Sequence, residues 1–204
     1  MLELSGELVD NNSVSEVFQI NAQGINPKVQ KQKIKLKALS EYVATSKKKI
    51  PFFCVIETHL KEYIFDAEVS IPDYNIMRAD RAKRKNGGVA IYAHHSFSMD
   101  DTQVFTNSYC ECVMTHNKHN KLTIIAVYRP PETQHHLFSE CIEKITDYIK
   151  KYEDYTTLIF GDMNLKFIDL KTETVRKPAT IAQEISTEER NSSNLLLDFI
   201  SDGV

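Results

Sequence analysis

Thr157-Leu158-Ile159-Phe160-Gly161-Asp162-Met163-Asn164 is the stretch on which the reading of this chain turns. The run up to Phe160 predicts a buried strand, and Gly161 opens its polar end. Side chains alternate faces along a strand, so Asp162 and Asn164, two residues apart, are expected to aim the same way. One is an anion able to hold a metal or orient a water. The other is a neutral donor and acceptor able to hold a phosphate oxygen. Gly-Asp also closes many ordinary strands at a turn, so the stretch gains meaning only from what stands elsewhere.

Working outward, other apolar runs end in the same manner. Val17-Phe18-Gln19-Ile20 stops at Asn21, Pro51-Phe52-Phe53-Cys54-Val55-Ile56 at Glu57, and Leu122–Val127 at Tyr128. Polar residues at strand ends sit on a rigid frame where ligands gather. The set holds two carboxylates, two carboxamides and a phenol, and no Ser or Cys with an adjacent base. Oxygen donors of this kind suit Mg²⁺ or Mn²⁺ rather than zinc. Phosphoester hydrolysis is the chemistry such a site serves best.

The elements around these ends are equally legible. Ile34, Ala38, Leu39, Tyr42 and Val43 recur at helical spacing between Pro27 and about Ser46, with Pro27 expected in the first turn. Short strands are expected at Tyr74–Met77, Val89–Tyr92 and Cys110–Thr115. Glu132 to Tyr152 carries the steadiest 3.6-residue stripe, and Leu195–Ile200 reads as a last short helix. Residues 1–15 are read as loose, and 16–204 as one domain. Two strand groups, each with a returning helix, predict an α/β fold of two stacked mixed β-sheets flanked by helices, a four-layer α/β/β/α sandwich.

Composition sets outer bounds. The chain has 204 residues, 26% of them charged, with a net charge of −3, which excludes a generally basic nucleic-acid coater. No run approaches the ~20 apolar residues needed to cross a bilayer, so no membrane partner is expected. The acidic N-terminus lacks the order of a secretory signal, and an intracellular site, nuclear or cytoplasmic, follows by default. Cys54, Cys110, Cys112 and Cys141 lie inside apolar patterns without metal spacing and are read as buried thiols. Positive charge clusters at Lys28–Lys49 and Arg78–Lys85, either as solvated faces or as holds for a polyanion.

Taken in order, Asn21, Glu57-Thr58-His59-Leu60, Tyr128-Arg129-Pro130-Pro131 and Gly161-Asp162-Met163-Asn164 resemble the endonuclease/exonuclease/phosphatase superfamily. Arg78-Ala79-Asp80-Arg81 followed by Gly87-Gly88-Val89-Ala90-Ile91-Tyr92 looks like the endonuclease domain of non-LTR retrotransposons, which nicks target DNA. The resemblance implies that Glu57 binds the metal, Asn21 contacts the phosphate or Asp162, and Tyr128 places its hydroxyl on the scissile phosphate. Asp162 would orient the attacking water and Asn164 hold a phosphate oxygen. Arg81 and Arg129 would lie near the DNA backbone. DNA is the implied partner and Mg²⁺ (or Mn²⁺) the implied cofactor, with no small-molecule cofactor and with a reverse transcriptase domain in a longer polyprotein. His59 is read as a loop residue rather than a base.

Members of the superfamily carry further strands and a closing Ser-Asp-His, whereas Ser201-Asp202-Gly203 ends without the histidine. The fold is therefore expected to be incomplete at the C-terminus, and the fragment weak or inactive. Alternatives are an abasic-site nuclease, an inositol phosphatase, or a non-catalytic retrotransposon remnant.

Overall fold

The computed structural model describes residues 3–10, 13–82, 85–131, 135–164, 168–169 and 174–175. The expected helix at Leu195–Ile200 and the Ser201-Asp202-Gly203 ending lie outside them. Strands β1 (Glu3–Asp10), β2 (Ser13–Asn21), β3 (Phe52–Ile56), β4 (Tyr74–Ala79) and β5 (Val89–His94) form one sheet in the order β1-β2-β3-β5-β4. Strands β6 (Asp100–Thr106), β7 (Glu111–Asn117), β8 (Leu122–Tyr128) and β9 (Thr156–Asp162) form a second in sequential order.

Each sheet is mixed for the same reason. Helix α1 (Gln30–Thr45) returns the chain so that β3 lies parallel to β2, and α2 (His135–Lys151) does the same for β9 against β8. Parallel neighbours need such a crossover, while the remaining pairs are antiparallel.

Alternation along the central strands builds three apolar layers. Phe53 and Val55 pack outward against Leu36, Leu39 and Val43 of α1. Phe52, Cys54 and Ile56 face Val113, Ile124 and Ala126 between the sheets. Ile125 and Val127 turn the other way, onto Phe138, Cys141, Ile142 and Ile145 of α2. A strand buried on both faces reads as an unbroken apolar run, and β3 and β8 do. The four-layer sandwich follows. On the outer face of the first sheet, Phe53 stacks between Phe18 and Tyr92 at centroid distances of 4.9 and 5.0 Å. All four cysteines are buried free thiols.

Three local readings differ from the expectation. Residues 3–10 are strand, not loose: the Leu4-Ser5-Gly6-Glu7-Leu8 alternation is period-2, although the segment is polar overall. Strand β6 was not foreseen, because its exposed, polar Asp100-Asp101-Thr102-Gln103 carries little apolar signal. Pro27 precedes the helix rather than opening it. Asn26 Oδ1 accepts the Lys28 amide at 2.9 Å, a side-chain turn that delays the start of α1 to Gln30.

At the end of β7 remote from Glu111, His116 is buried beneath Tyr148, Tyr152 and Tyr155, its ring 4.0 Å from that of Tyr152. Burial lowers its pKa below the ordinary 6.5. The folded state therefore binds fewer protons at this site than the unfolded state. Its stability contribution is complete above about pH 6.5 and is lost as the pH falls toward the lowered value. His116→Phe is expected to flatten that part of the pH–stability curve in urea titrations between about pH 5 and 7; an unchanged slope would remove His116 as its source.

Candidate active site

The two parallel strand pairs end in register, and this assembles the site. In the first sheet Asn21 pairs with Ile56, the residue before Glu57. In the second, Tyr128 pairs with Asp162. The ends of the sheets are joined where Gln19 Nε2 donates to the Gly161 carbonyl at 3.2 Å. The negative charge of Glu57 reaches across to act on Tyr128. The structure thus gathers Asn21, Glu57, Tyr128, Asp162 and Asn164 at one end of the sandwich.

Glu57 leaves β3 with φ +56° and His59 follows with φ +54°, both in the left-handed region. Non-glycine residues pay roughly 1–2 kcal/mol there, so the loop must be held from outside. It is. The Gly24 and Ile25 amides donate to the carbonyls of Glu57 and Thr58 at 2.7 and 2.9 Å, and the Thr58 and His59 amides donate to Gly88 and Gly87 at 3.1 and 2.8 Å. Such over-determined strain is typical of functional loops. The carboxylate is oriented as well: Asn21 Nδ2 donates to Oε1 at 3.2 Å, and His59 Nε2 stands 3.6 Å from Oε2. Burial lowers the His59 pKa, against the pull of Glu57. His59 flanks the carboxylate from within the loop.

Tyr128 is 5% exposed, and its phenol is pushed up to about 12, first by burial and then by the charge of Glu57. A neutral hydroxyl at physiological pH is a hydrogen-bond donor, which is what contact with a phosphate oxygen requires. Asp162 closes β9, and its Oδ1 accepts the Asn164 amide at 3.0 Å. Asn164 itself lies beyond the strand at φ +50° and donates through Nδ2 to the Arg129 carbonyl at 2.8 Å. A side-chain-to-backbone turn, rather than strand alternation, therefore sets the Asn164 direction.

The two arginines expected at the DNA backbone are placed differently. Arg129 is 2% exposed; its guanidinium donates to the Met163 carbonyl at 3.1 Å and lies 5.2 Å over the Phe138 ring. Arg81 is 5% exposed and pairs with Glu111. Arg78 likewise turns inward to Asp80 and the Ile64 carbonyl, and also reaches the exposed Asp66. Buried carboxylates and carbonyls need cationic donors, and these demands outcompete the surface. Glu111 and Gln19 were not singled out from sequence. A carboxylate inside the otherwise apolar Cys110–Val113 run was the available signal for Glu111.

Among the described residues no three His, Cys, Asp or Glu side chains group into a protein-only metal cage. Mg²⁺ does not need one, because it keeps several waters and takes one or two carboxylates with substrate phosphate. Glu57, with a side chain 20% exposed and one oxygen steadied by Asn21, matches that donor set.

Neither a protein-family model nor a curated protein matches this sequence. Solved structures do. An AP endonuclease from Archaeoglobus fulgidus matches with a TM-score of 0.58 at 14% identity, over 97% of this chain and 70% of that one. TDP2 from D. rerio, complexed with a single-strand DNA product, matches at 0.52 and 13%, over 80% and 62%. An endonuclease/exonuclease/phosphatase family protein from Bacteroides thetaiotaomicron matches at 0.51 and 12%, over 80% and 64%. The chain spans about half, 51%, of the C. elegans TDP2 chain that it also matches. At these identities the likeness is one of fold: the chain has the sandwich fold of the endonuclease/exonuclease/phosphatase proteins.

Proposed function

We propose that this chain is a metal-dependent phosphodiesterase acting on DNA, an endonuclease domain of the non-LTR retrotransposon type. The observation that carries the reading is the joint placement of Asn21, Glu57, Tyr128, Asp162 and Asn164 where both parallel strand pairs end. The fold likeness is compatible with it, since the matched structures include an AP endonuclease and a TDP2 bound to a DNA product. The retrotransposon assignment rests on the resemblance of Arg78–Arg81 and Gly87–Tyr92 to that branch.

Glu57, its Oε1 steadied by Asn21, would hold the divalent cation, which when bound would neutralise charge on the scissile phosphate. The chain's own groups do the rest. Tyr128 donates its hydroxyl to a phosphate oxygen, and Asn164, fixed by Asp162 and Arg129, borders the same space. Asp162 would orient a water for in-line attack. Tyr128 is itself almost fully buried, and the low dielectric around it strengthens its contact.

The test is cleavage of supercoiled plasmid, an abasic-site duplex and an inositol-phosphate lipid, each with Mg²⁺, Mn²⁺ or chelator. Weak cation-dependent nicking of intact plasmid is expected. Cleavage confined to the abasic duplex or to the lipid would move the chain to another phosphoesterase type, and no cleavage of any substrate would end the enzymatic reading.

A further inference from the structure

Arg81 and Glu111 form an ion pair for which the chemistry above has no use. The two residues are 5% and 0% exposed, and the guanidinium is bidentate, with Nε 2.6 Å from Oε1 and a terminal nitrogen 3.2 Å from Oε2. Removing two charges from water costs several kcal/mol per ion, and the pair's attraction seldom does more than offset it. A buried pair of this kind is therefore better explained by the geometry that it imposes than by stability.

Its neighbours show which geometry. The Arg81 guanidinium carbon lies 5.4 Å from the centre of the Tyr128 ring, and Glu111 is the direct cross-strand partner of Tyr128. On its other side, Glu111 Oε2 accepts the Gly88 amide at 3.2 Å. The carbonyls of Gly88 and Gly87 in turn accept the Thr58 and His59 amides, the bonds that hold the strained loop carrying Glu57. Gly87 has φ +88°, and a Cβ there would lie 2.8 Å from the Arg81 guanidinium carbon and 3.1 Å from Glu111 Oε2. Gly87 is thus required by the close approach of the pair, whereas a Cβ at Gly88, at φ +86°, would meet Thr58 Oγ1 at 2.5 Å in the loop that carries Glu57. Lys61 Nζ, bonded to the Arg81 carbonyl at 2.8 Å, ties the same loop back once more.

We infer that Arg81 and Glu111 are positioning residues, a buried charged clamp that gauges the Tyr128 hydroxyl against the Glu57 carboxylate by gripping the Tyr128 ring and the Gly87-Gly88 turn together. The inference rests on the proposed roles of Tyr128 and Glu57 for its effect on rate, but its geometry can be tested without any activity.

The experiment labels the full chain with 3-fluorotyrosine and assigns the Tyr128 resonance by its disappearance in Tyr128→Phe. Arg81→Lys keeps the charge but loses the planar fork, and Glu111→Gln keeps the shape but loses the charge. In both variants the Tyr128 line is expected to shift, while those of Tyr148, Tyr152 and Tyr155 at the far end of the sandwich stay in place. A turnover loss of about 10²-fold is expected for a misplaced site, with KM changed by less than about twofold. An unmoved Tyr128 line in folded variants overturns the inference. Loss of the folded spectrum in both variants, or movement of the distant tyrosine lines as well, also overturns it, because the pair would then be a general folding element. A Tyr128 line that moves in a chain showing no hydrolysis upholds the clamp and removes the functional reading instead.

Discussion

Glu57→Gln is expected to reduce cation-dependent plasmid nicking by about 10²-fold or more while leaving the fold intact. The substitution conserves volume, and an amide oxygen can still accept the Asn21 Nδ2 hydrogen bond that now reaches Oε1 at 3.2 Å. The backbone strain at φ +56° is unchanged, since glutamine meets the same restriction as glutamate. What disappears is the negative charge, and a hard cation binds far more weakly to a neutral amide than to a carboxylate. Losing even an outer partner of a metal ligand costs 10–100-fold in affinity or activity, and losing the ligand itself should cost at least as much. Initial nicking rates at saturating Mg²⁺, beside thermal unfolding followed by circular dichroism, make the comparison. Equal rates for the two proteins would remove Glu57 from the site.

The second large effect is on the frame rather than on the chemistry. At Gly161 an added Cβ would lie 2.1 Å from the Val127 carbonyl oxygen and 3.0 Å from its carbon. These are backbone atoms of the neighbouring strand, which cannot rotate away. Gly161→Ala must push β9 from β8 at the register pair Val127↔Gly161, directly below Tyr128↔Asp162. Overpacking of this kind costs roughly 1–3 kcal/mol, which for a chain of this size lowers Tm by several degrees. It would also stretch the Arg129 amide bond to the Asp162 carbonyl, now 2.9 Å. Displacing the site by about 1 Å is worth up to about 10²-fold in rate. Stability and nicking should therefore fall together. A wild-type Tm in Gly161→Ala would show that β8 and β9 are not held as closely as described.

Gly161 also illustrates what the sequence makes legible and what it hides. That a glycine stands between Phe160 and Asp162 is plain; that it is there because Val127 presses on it depends on a parallel pairing across 34 residues and a helix. The apolar runs of β3 and β8 and the stripe of α2 could be read because burial on both faces, or on one helical face, leaves a periodic mark. Strands β1 and β6 left a faint one, since sheet edges need few apolar residues. The candidate site was visible as Asn21, Glu57, Tyr128 and Asp162, each the polar end of an apolar run. Arg81 and Arg129 are expected near the DNA backbone, and what the sequence hides is that both are buried. A basic residue in a loop looks solvent-facing until the buried carboxylate or carbonyl that draws it in, Glu111 or Met163, is known from the fold.

On the proposed function, the strand ends of two separate sheets would form one cation-binding site around Glu57. Paramagnetic broadening by Mn²⁺, titrated into the ¹⁵N-labelled chain, tests it most directly. Amide signals of Asn21, Glu57, Tyr128 and Asp162 should fade together at the lowest Mn²⁺, with Glu57→Gln abolishing the effect. Broadening that spares these four, or that centres on the exposed Asp101 at the opposite end of the sandwich, would contradict it.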